Sequence, residues 1–212
     1  MYSFDSLKGF VRAATFISMV AALGGPFAWA HATGLSRVNI GATAPQFSAK
    51  GADGRRYSLR DYVGMLVVLE WTNPVCPFTA IKYKSGAMQA LQRYAASQHV
   101  VWLSIDTAAP GKAGYLTPAA ARARILQTHA TVSAFLFDVD GKIARSYGAK
   151  TTPSFFIIDR DGKLAYEGAM DDQVFADQNE GHAYIKSALD DLVAGHRVKD
   201  AETQPQGCAI EY

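Results

Sequence analysis

What this 212-residue chain lacks narrows its chemistry before any motif is read. It has only two cysteines, Cys76 and Cys208, so a single chain can form one disulfide in one connectivity. Its histidines, His31, His99, His129, His182 and His196, fall at no metal-ligand spacing, and no Cys-x-x-x-Cys is present to hold copper. No metal or other cofactor is therefore expected. Neither charge dominates, with 21 Lys and Arg against 19 Asp and Glu. With no basic stripe and no long amphipathic basic helix, neither nucleic acid nor a membrane surface is an expected partner. No internal repeat or low-complexity segment stands out, and nothing between residues 45 and 200 resembles a linker.

The apolar stretch Ala13 to Leu23 is too short to span a bilayer comfortably. Preceded by Lys8 and Arg12 and followed by the small-x-small triplet Ala28-Trp29-Ala30, it has the layout of a secretory signal. An uncleaved anchor is the alternative. Cleavage after residue 30 leaves 182 residues, with 19 basic and 18 acidic side chains and no stable membrane insertion. An exported, periplasmic protein is expected, with a flexible lead-in over 31–44, a domain over 45–198 and a tail over 199–212 carrying Cys208. A domain of this size does not need a disulfide to fold, which favours a redox role for one.

Hydrophobic patterning gives the order of elements. Tyr57 to Tyr62 reads as a short element before a strand over Met65–Leu69, whose nearly continuous apolar run suits a doubly covered strand. Phe78, Ile81, Met88, Leu91 and Ala95 then fall at helical spacing, with Ser85-Gly86 as a kink. His99–Ile105 is a second buried strand and Asp106–Tyr115 a loop. Thr117-Pro118 opens a helix to about Thr128, and Ala134–Phe137 is a third strand. A short helix near Lys142–Tyr147 precedes a hairpin of Ser154–Ile158 and Leu164–Glu167 across Asp159-Arg160-Asp161-Gly162. Tyr184 to Val193 is an amphipathic last helix stopping at Gly195. Alternating strands and helices that end in a hairpin and a helix imply an α/β fold, a central mixed sheet with helices on both faces.

The most informative stretch is Leu66 to Phe78, LVVLEWTNPVCPF. It delivers a lone cysteine, Cys76, from a strand to the start of a helix. Exposed N–H groups and the positive end of the helix dipole there favour a thiolate. A buried small hydrophobe is the alternative, as most free cysteines are. Glu70 is unusual at the end of an apolar strand. A buried carboxyl there suits proton transfer with Cys76, while a solvent-facing or Lys-paired Glu70 is the plainer reading. Lys82 and Lys84 read as a solvated helix face. Asp171, Asp172, Asp177 and Glu180 lack calcium-loop spacing and read as a surface loop.

Together, the opening Gly-x-x-Ala-Pro-x-Phe of Gly41–Phe47, the cysteine after the first core strand, and Thr152-Pro153 before FFIID resemble the thioredoxin-like redoxins. This superfamily includes the alkyl hydroperoxide reductase/thiol-specific antioxidant proteins and exported thiol–disulfide oxidoreductases. The likeness covers roughly residues 40–195. It implies a thioredoxin-like fold, with Cys76 as the attacking cysteine and Pro153 as the proline held in cis beside the sulfur, leaving the Thr152 backbone free to pair with an extended partner. Trp71 matches the aromatic before the active-site turn, one residue further from the cysteine than in thioredoxins. Trp71, Pro77 and Thr79 are the candidate substrate contacts.

The departures are informative. Thr79 stands where Cys-x-x-Cys proteins have their second cysteine. Leu69 and Asn73 occupy the Pro and Thr positions of the peroxiredoxin Pro-x-x-x-Thr-x-x-Cys, and Pro153 aligns with the peroxiredoxin arginine. Cys208 is the candidate to resolve a mixed disulfide, within the chain or from another subunit, and Pro205 and Gly207 disfavour regular structure around it. A structural staple and no pairing at all, with an external thiol resolving Cys76, are the alternatives for Cys208. The expected activity is thiol–disulfide exchange, sustained by a thiol reductant and acting on a protein or small-molecule disulfide. A thiol-dependent peroxidase with antioxidant activity and a non-catalytic, disulfide-stapled binding module are the alternatives; a homodimer is compatible with each. Catalysis further requires Cys76 to be partly exposed with a lowered pKa.

Overall fold

The structure, a computed structural model, describes residues 37–173 and 181–211. The expected secretory signal lies outside the described residues. Two strands with every residue buried form the centre: β3 (Val67–Trp71) and β4 (Val101–Asp106). They run parallel, in register from Val67↔Val101 to Trp71↔Ile105. β5 (Ala134–Phe137) adds in parallel beside β4, and β7 (Ser154–Ile158) adds antiparallel beside β3. β8 (Leu164–Gly168) closes the expected hairpin on β7. At the other edge β1 (Ser48–Gly51) pairs antiparallel with β5, and β2 (Arg56–Ser58) with β1, giving the order β2-β1-β5-β4-β3-β7-β8. The short element expected at Tyr57–Tyr62 is the end of β2 followed by a 3-10 turn, Leu59–Tyr62.

Period-two alternation sends β3 side chains to opposite faces. Val67, Leu69 and Trp71 join Leu103, Ile105, Leu136, Phe156 and Tyr147 on one side. Val68 joins Trp102, Phe155 and Ile157 on the other, under Met88, Leu91, Ile185 and Leu189. These last four come from α2 (Ala87–Ser97) and α5 (Tyr184–Val193), whose apolar stripes face the sheet. Tyr147 comes from α4 (Lys142–Tyr147). α3 (Pro118–Thr128) begins as expected, Thr117 accepting the Ala120 amide at 3.2 Å. The kink at Ser85-Gly86 is a full break: α1 (Pro77–Lys84) ends, Gly86 turns at φ 81°, and α2 restarts. Among the described residues no helix is long and apolar enough to cross a membrane.

Both flanks are more attached than the sequence suggests. In the expected lead-in, Gly41 and Ala44 amides donate to Leu164 and Gly162 carbonyls at 2.7 and 2.9 Å, and Val38 and Ala44 are buried. Apolar side chains at 38 and 44 carry this strip into the first core cluster. At the other end, Glu167 donates its amide to Ala201, Thr203 to Glu167, and Ile210 to Lys150, at 2.9, 3.0 and 2.9 Å. A second small sheet follows. β6 (Thr151–Thr152) pairs antiparallel with β9 (Cys208–Ala209), with Thr152 opposite Cys208. β9 is absent from a reading of local pattern because its partner strand lies 56 residues upstream.

Candidate active site

β3 ends at Trp71, and the chain turns through Thr72–Val75 before α1. Asn73 shapes the turn: its side chain accepts the Val75 amide at 3.0 Å and donates to the Ala113 carbonyl at 3.1 Å. This leaves Cys76 as the N-cap of α1, with Pro77 at the first helical position where a missing N–H costs nothing. Cys76 is disulfide-bonded to Cys208, with Cα atoms 5.9 Å apart across a sequence separation of 132. Thr152–Pro153 is cis, and the Thr152 carbonyl oxygen lies 2.9 Å from Cys76 Sγ.

The expected partial exposure of Cys76 is not found. It is 1% exposed because the tail covers it, while Cys208 is half-buried. Around the sulfur, Val75 and Pro77 are exposed and Phe78 half-buried, forming an apolar rim. Thr79 and Thr152 are buried, and neither side-chain oxygen has a hydrogen-bond partner. Trp71, expected to meet substrate, is fully buried on the first core face. Its ring packs on Phe156 and Tyr147 at centroid distances of 5.1 and 5.7 Å. Its indole N–H donates to Thr107 at 3.1 Å, Thr107 donates to Asp138 at 3.0 Å, and Asp138 accepts the Ile143 and Ala144 amides that open α4. Parity explains the difference: a side chain between Leu69 and Trp71 faces α1 and α2, and Trp71 faces the other way.

Glu70 takes that side, and it neither faces solvent nor pairs with a lysine. It is fully buried and accepts from Tyr83, Gln92, Trp102 Nε1 and Ser104 Oγ, at 3.0, 3.3, 2.8 and 2.7 Å. Four neutral donors satisfy the carboxyl group, and Cys76 is not among them. Burial and the facing Glu70 carboxyl raise the Tyr83 pKa well above its usual range, so its hydroxyl stays a donor. Lys82 also departs from expectation. It is buried, bonded to Asp171 at 2.7 Å and to the Gln173 carbonyl at 2.6 Å. It lines a small cleft with Phe78, Pro153, Met170 and Gln206. Its place three residues after Thr79, on the same helix face, was the available signal. Asp177 and Glu180 lie outside the described residues.

Sequence reading missed Asp106, at the end of β4. It is 1% exposed, with only the Leu116 amide and the Arg124 charge to offset the burial of its carboxyl group. Burial raises its pKa to about 7. A carboxyl closing a strand in which every other residue but Ser104 is apolar, as Glu70 nearly closes β3, was the visible clue.

Residues 40–167 match the family model described as AhpC/TSA family. Among solved structures, an uncharacterised conserved protein from Geobacillus kaustophilus is similar at 24% identity and TM-score 0.73, over 84% of this chain and 94% of that one. The hypothetical protein SMc02350 from Sinorhizobium meliloti 1021 gives 22% and 0.74, over 84% and 96%. A putative thiol:disulfide interchange protein DsbE from Chlorobium tepidum gives 22% and 0.52, over 74% and 97%. Comparison with curated proteins gives no significant match. The fold is thioredoxin-like, and the matched segment contains Cys76, Thr152 and Pro153 while Cys208 lies beyond it. On this footing the chain belongs to the AhpC/TSA family of thioredoxin-like redoxins.

Proposed function

We propose that the protein is an exported thiol–disulfide oxidoreductase in which Cys76 attacks and Cys208 resolves. One observation carries the reading: Cys208 meets Cys76 as part of an extended strand paired with the Thr152 backbone. A polypeptide-borne sulfur thus already sits on the candidate attacking cysteine. The signal-like layout of residues 1–30 supports export.

In the reduced protein the N-terminus of α1 stabilises the Cys76 thiolate. The thiolate attacks one sulfur of a substrate disulfide, forming a mixed disulfide and releasing the other sulfur as a thiolate. Cys208 then attacks Cys76 Sγ, closes the 76–208 bond and releases the reduced substrate. A dithiol donor reopens it at Cys208, the more exposed sulfur, so that Cys76 leaves as the stabilised thiolate. The donor's second thiol then cleaves the mixed disulfide on Cys208. The cycle needs a reductant and a disulfide, and no metal or cofactor enters it.

Stopped-flow mixing of reduced protein with a model disulfide and, separately, with hydrogen peroxide tests the assignment. The disulfide is expected to oxidise Cys76 orders of magnitude faster than it oxidises a free thiol. Peroxide winning that comparison would reassign the chain as a thiol-dependent peroxidase. The burial of Cys76 favours a different class, a stapled binding module. Slow alkylation of reduced Cys76, with a midpoint at or above about 8.5, the free-thiol value, would establish that instead.

A further inference from the structure

The tail does more than deliver a sulfur; its fit to β6 defines what can lie there. Thr152 faces Cys208 and Thr151 faces Ala209 in antiparallel register, and the Ile210 amide continues the ladder to the Lys150 carbonyl. Ile210 packs against the first core cluster, and the intervening Ala209 points to solvent. The residue before the cysteine is Gly207. A Cβ on it would collide with the Thr152 carbonyl oxygen and lie 2.6 Å from the carbonyl carbon and 3.2 Å from Pro153 N. Those atoms are backbone, which cannot rotate aside as the tip of a flexible side chain can. Any larger residue must push the whole strand off β6, and with it the following cysteine off Cys76.

We propose that the edge formed by Thr151–Thr152 binds an extended polypeptide that carries glycine immediately before its reactive cysteine, and that residues 207–210 are the resident copy of that partner. The inference rests on the exchange reading and adds its specificity. An aliphatic side chain two residues after the cysteine, in the place of Ile210, completes the recognised segment. The tail and an external partner compete for one edge, so oxidation closes the site and reduction opens it. Main-chain hydrogen bonds supply affinity at such an edge, and the few positions with steric limits supply selection.

The step is a single exchange. The Cys76 thiolate attacks the peptide sulfur of a mixed disulfide between peptide and 5-thio-2-nitrobenzoate; the Cys76–peptide bond forms, and the coloured aromatic thiolate leaves with the electron pair. Full-length Cys208→Ser protein keeps one thiol, and its tail competes equally with every peptide. Peptides with the sequence of residues 203–211 are compared with versions carrying Ala or Val in place of the glycine. The glycine peptide is expected to react at least about tenfold faster, about 1.4 kcal/mol, while all three react alike with free glutathione. Equal rates, each well above that of the free thiol, would overturn glycine selection and leave exchange standing. Rates no greater than the free thiol's for every peptide and for small disulfides would overturn both. In the otherwise native protein, Gly207→Ala is expected to shift the 76–208 equilibrium in a glutathione buffer at least about tenfold towards the dithiol; an unchanged equilibrium counts against the proposal.

Discussion

Cys76 and Cys208 meet at one bond, but the segments that carry them are anchored by different physics. Cys76 follows β3, every residue of which is buried between two apolar clusters. The turn before it is tied to β4 through the Thr72 amide, which donates to the Ile105 carbonyl at 3.0 Å. Cys208 follows a stretch in which Glu202, Gln204 and Gln206 are exposed and Ala201 and Thr203 hydrogen-bond to the Glu167 backbone, and it is followed by Ile210, whose amide donates to the Lys150 carbonyl. Burial stabilises in proportion to apolar area, whereas an exposed hydrogen bond exchanges almost evenly with water. Under the proposed exchange cycle one sulfur is fixed, and the other is expected to depart at a much smaller loss of buried area. A two-cysteine cycle needs that asymmetry, since an activated sulfur must be uncovered once per turnover.

The largest effect expected from breaking the asymmetry is chemical. Cys76→Ser should reduce exchange to the buffer background. Cys208→Ser should keep the first attack and accumulate a mixed disulfide on Cys76, visible by intact-mass spectrometry in a single turnover. If the two variants lose the first attack equally, Cys208 is part of the attacking machinery and not a resolving group.

Stability should divide the other way. Trp71→Ala removes a fully buried ring that packs on Phe156 and Tyr147, and should cost about 3–5 kcal/mol of unfolding free energy. Reducing the disulfide releases a connection spanning 132 residues and should cost about 2–4 kcal/mol, mainly through the unfolded chain. Denaturant unfolding of the reduced protein should therefore remain one cooperative transition. Limited proteolysis of reduced protein should cut near residues 200–207 and spare the rest, because the strip belongs to neither α2–α5 nor the seven-stranded sheet and no large apolar side chain anchors it.

The same contrast explains what could be read from residues alone. The core of the first strand, VVL, with VWLSI, AFLF and SFFII, is legible because burial on both faces leaves no polar alternation to confuse it, and the order implies the sheet. The first strand, expected over Met65–Leu69, in fact runs Val67–Trp71 and carries the buried Glu70 within it. Cys76 and Pro153 are legible because strand, turn and helix cap are local patterns. The β6–β9 pairing is not, since two-residue strands carry no periodicity and their register follows from where Cys76 lies in space. The burial of Lys82, and the choice between the buried and exposed readings of Glu70, are hard to read for a related reason. Charged residues are ordinarily exposed, and only the donors on Tyr83, Gln92, Trp102 and Ser104, or the carboxylate of Asp171, make their burial tolerable.

Asp106 offers a pH test on the fixed side of the molecule. Its folded pKa of about 7 lies above the ordinary 3.8, so the folded state holds a proton that the unfolded state has lost. Its contribution to stability is intact below pH about 4 and disappears as pH rises through about 7. Asp106→Asn removes the cost of ionising a buried carboxyl and should raise stability at pH 8 by on the order of 2 kcal/mol. At pH 4 it should change little. A pH-independent difference between variant and parent would mean that Asp106 does not titrate in this range.

The smallest effect expected lies at the point where the tail joins the body. Thr203 Oγ1 accepts the Ala169 amide at 2.9 Å and shares a 2.6 Å hydrogen bond with the Tyr166 hydroxyl, which donates to the Ala169 carbonyl at 2.5 Å. The donors and acceptors close a ring: amide to threonine, threonine to tyrosine, tyrosine to carbonyl. Thr203→Val keeps the shape, opens the ring and leaves the Ala169 amide without its acceptor, at a cost of about 1 kcal/mol. The cost should appear only in the local opening of the tail, because β8 keeps its pairing with β7. In reduced protein, amide exchange at Thr203 and Ile210 should then quicken about fivefold, the factor that corresponds to about 1 kcal/mol. Amides of Leu103 and Trp71, at the centre of the sheet, should be unmoved. If they quicken by the same factor, tail and core open as one unit, and Cys208 cannot leave Cys76 without unfolding the strands behind it.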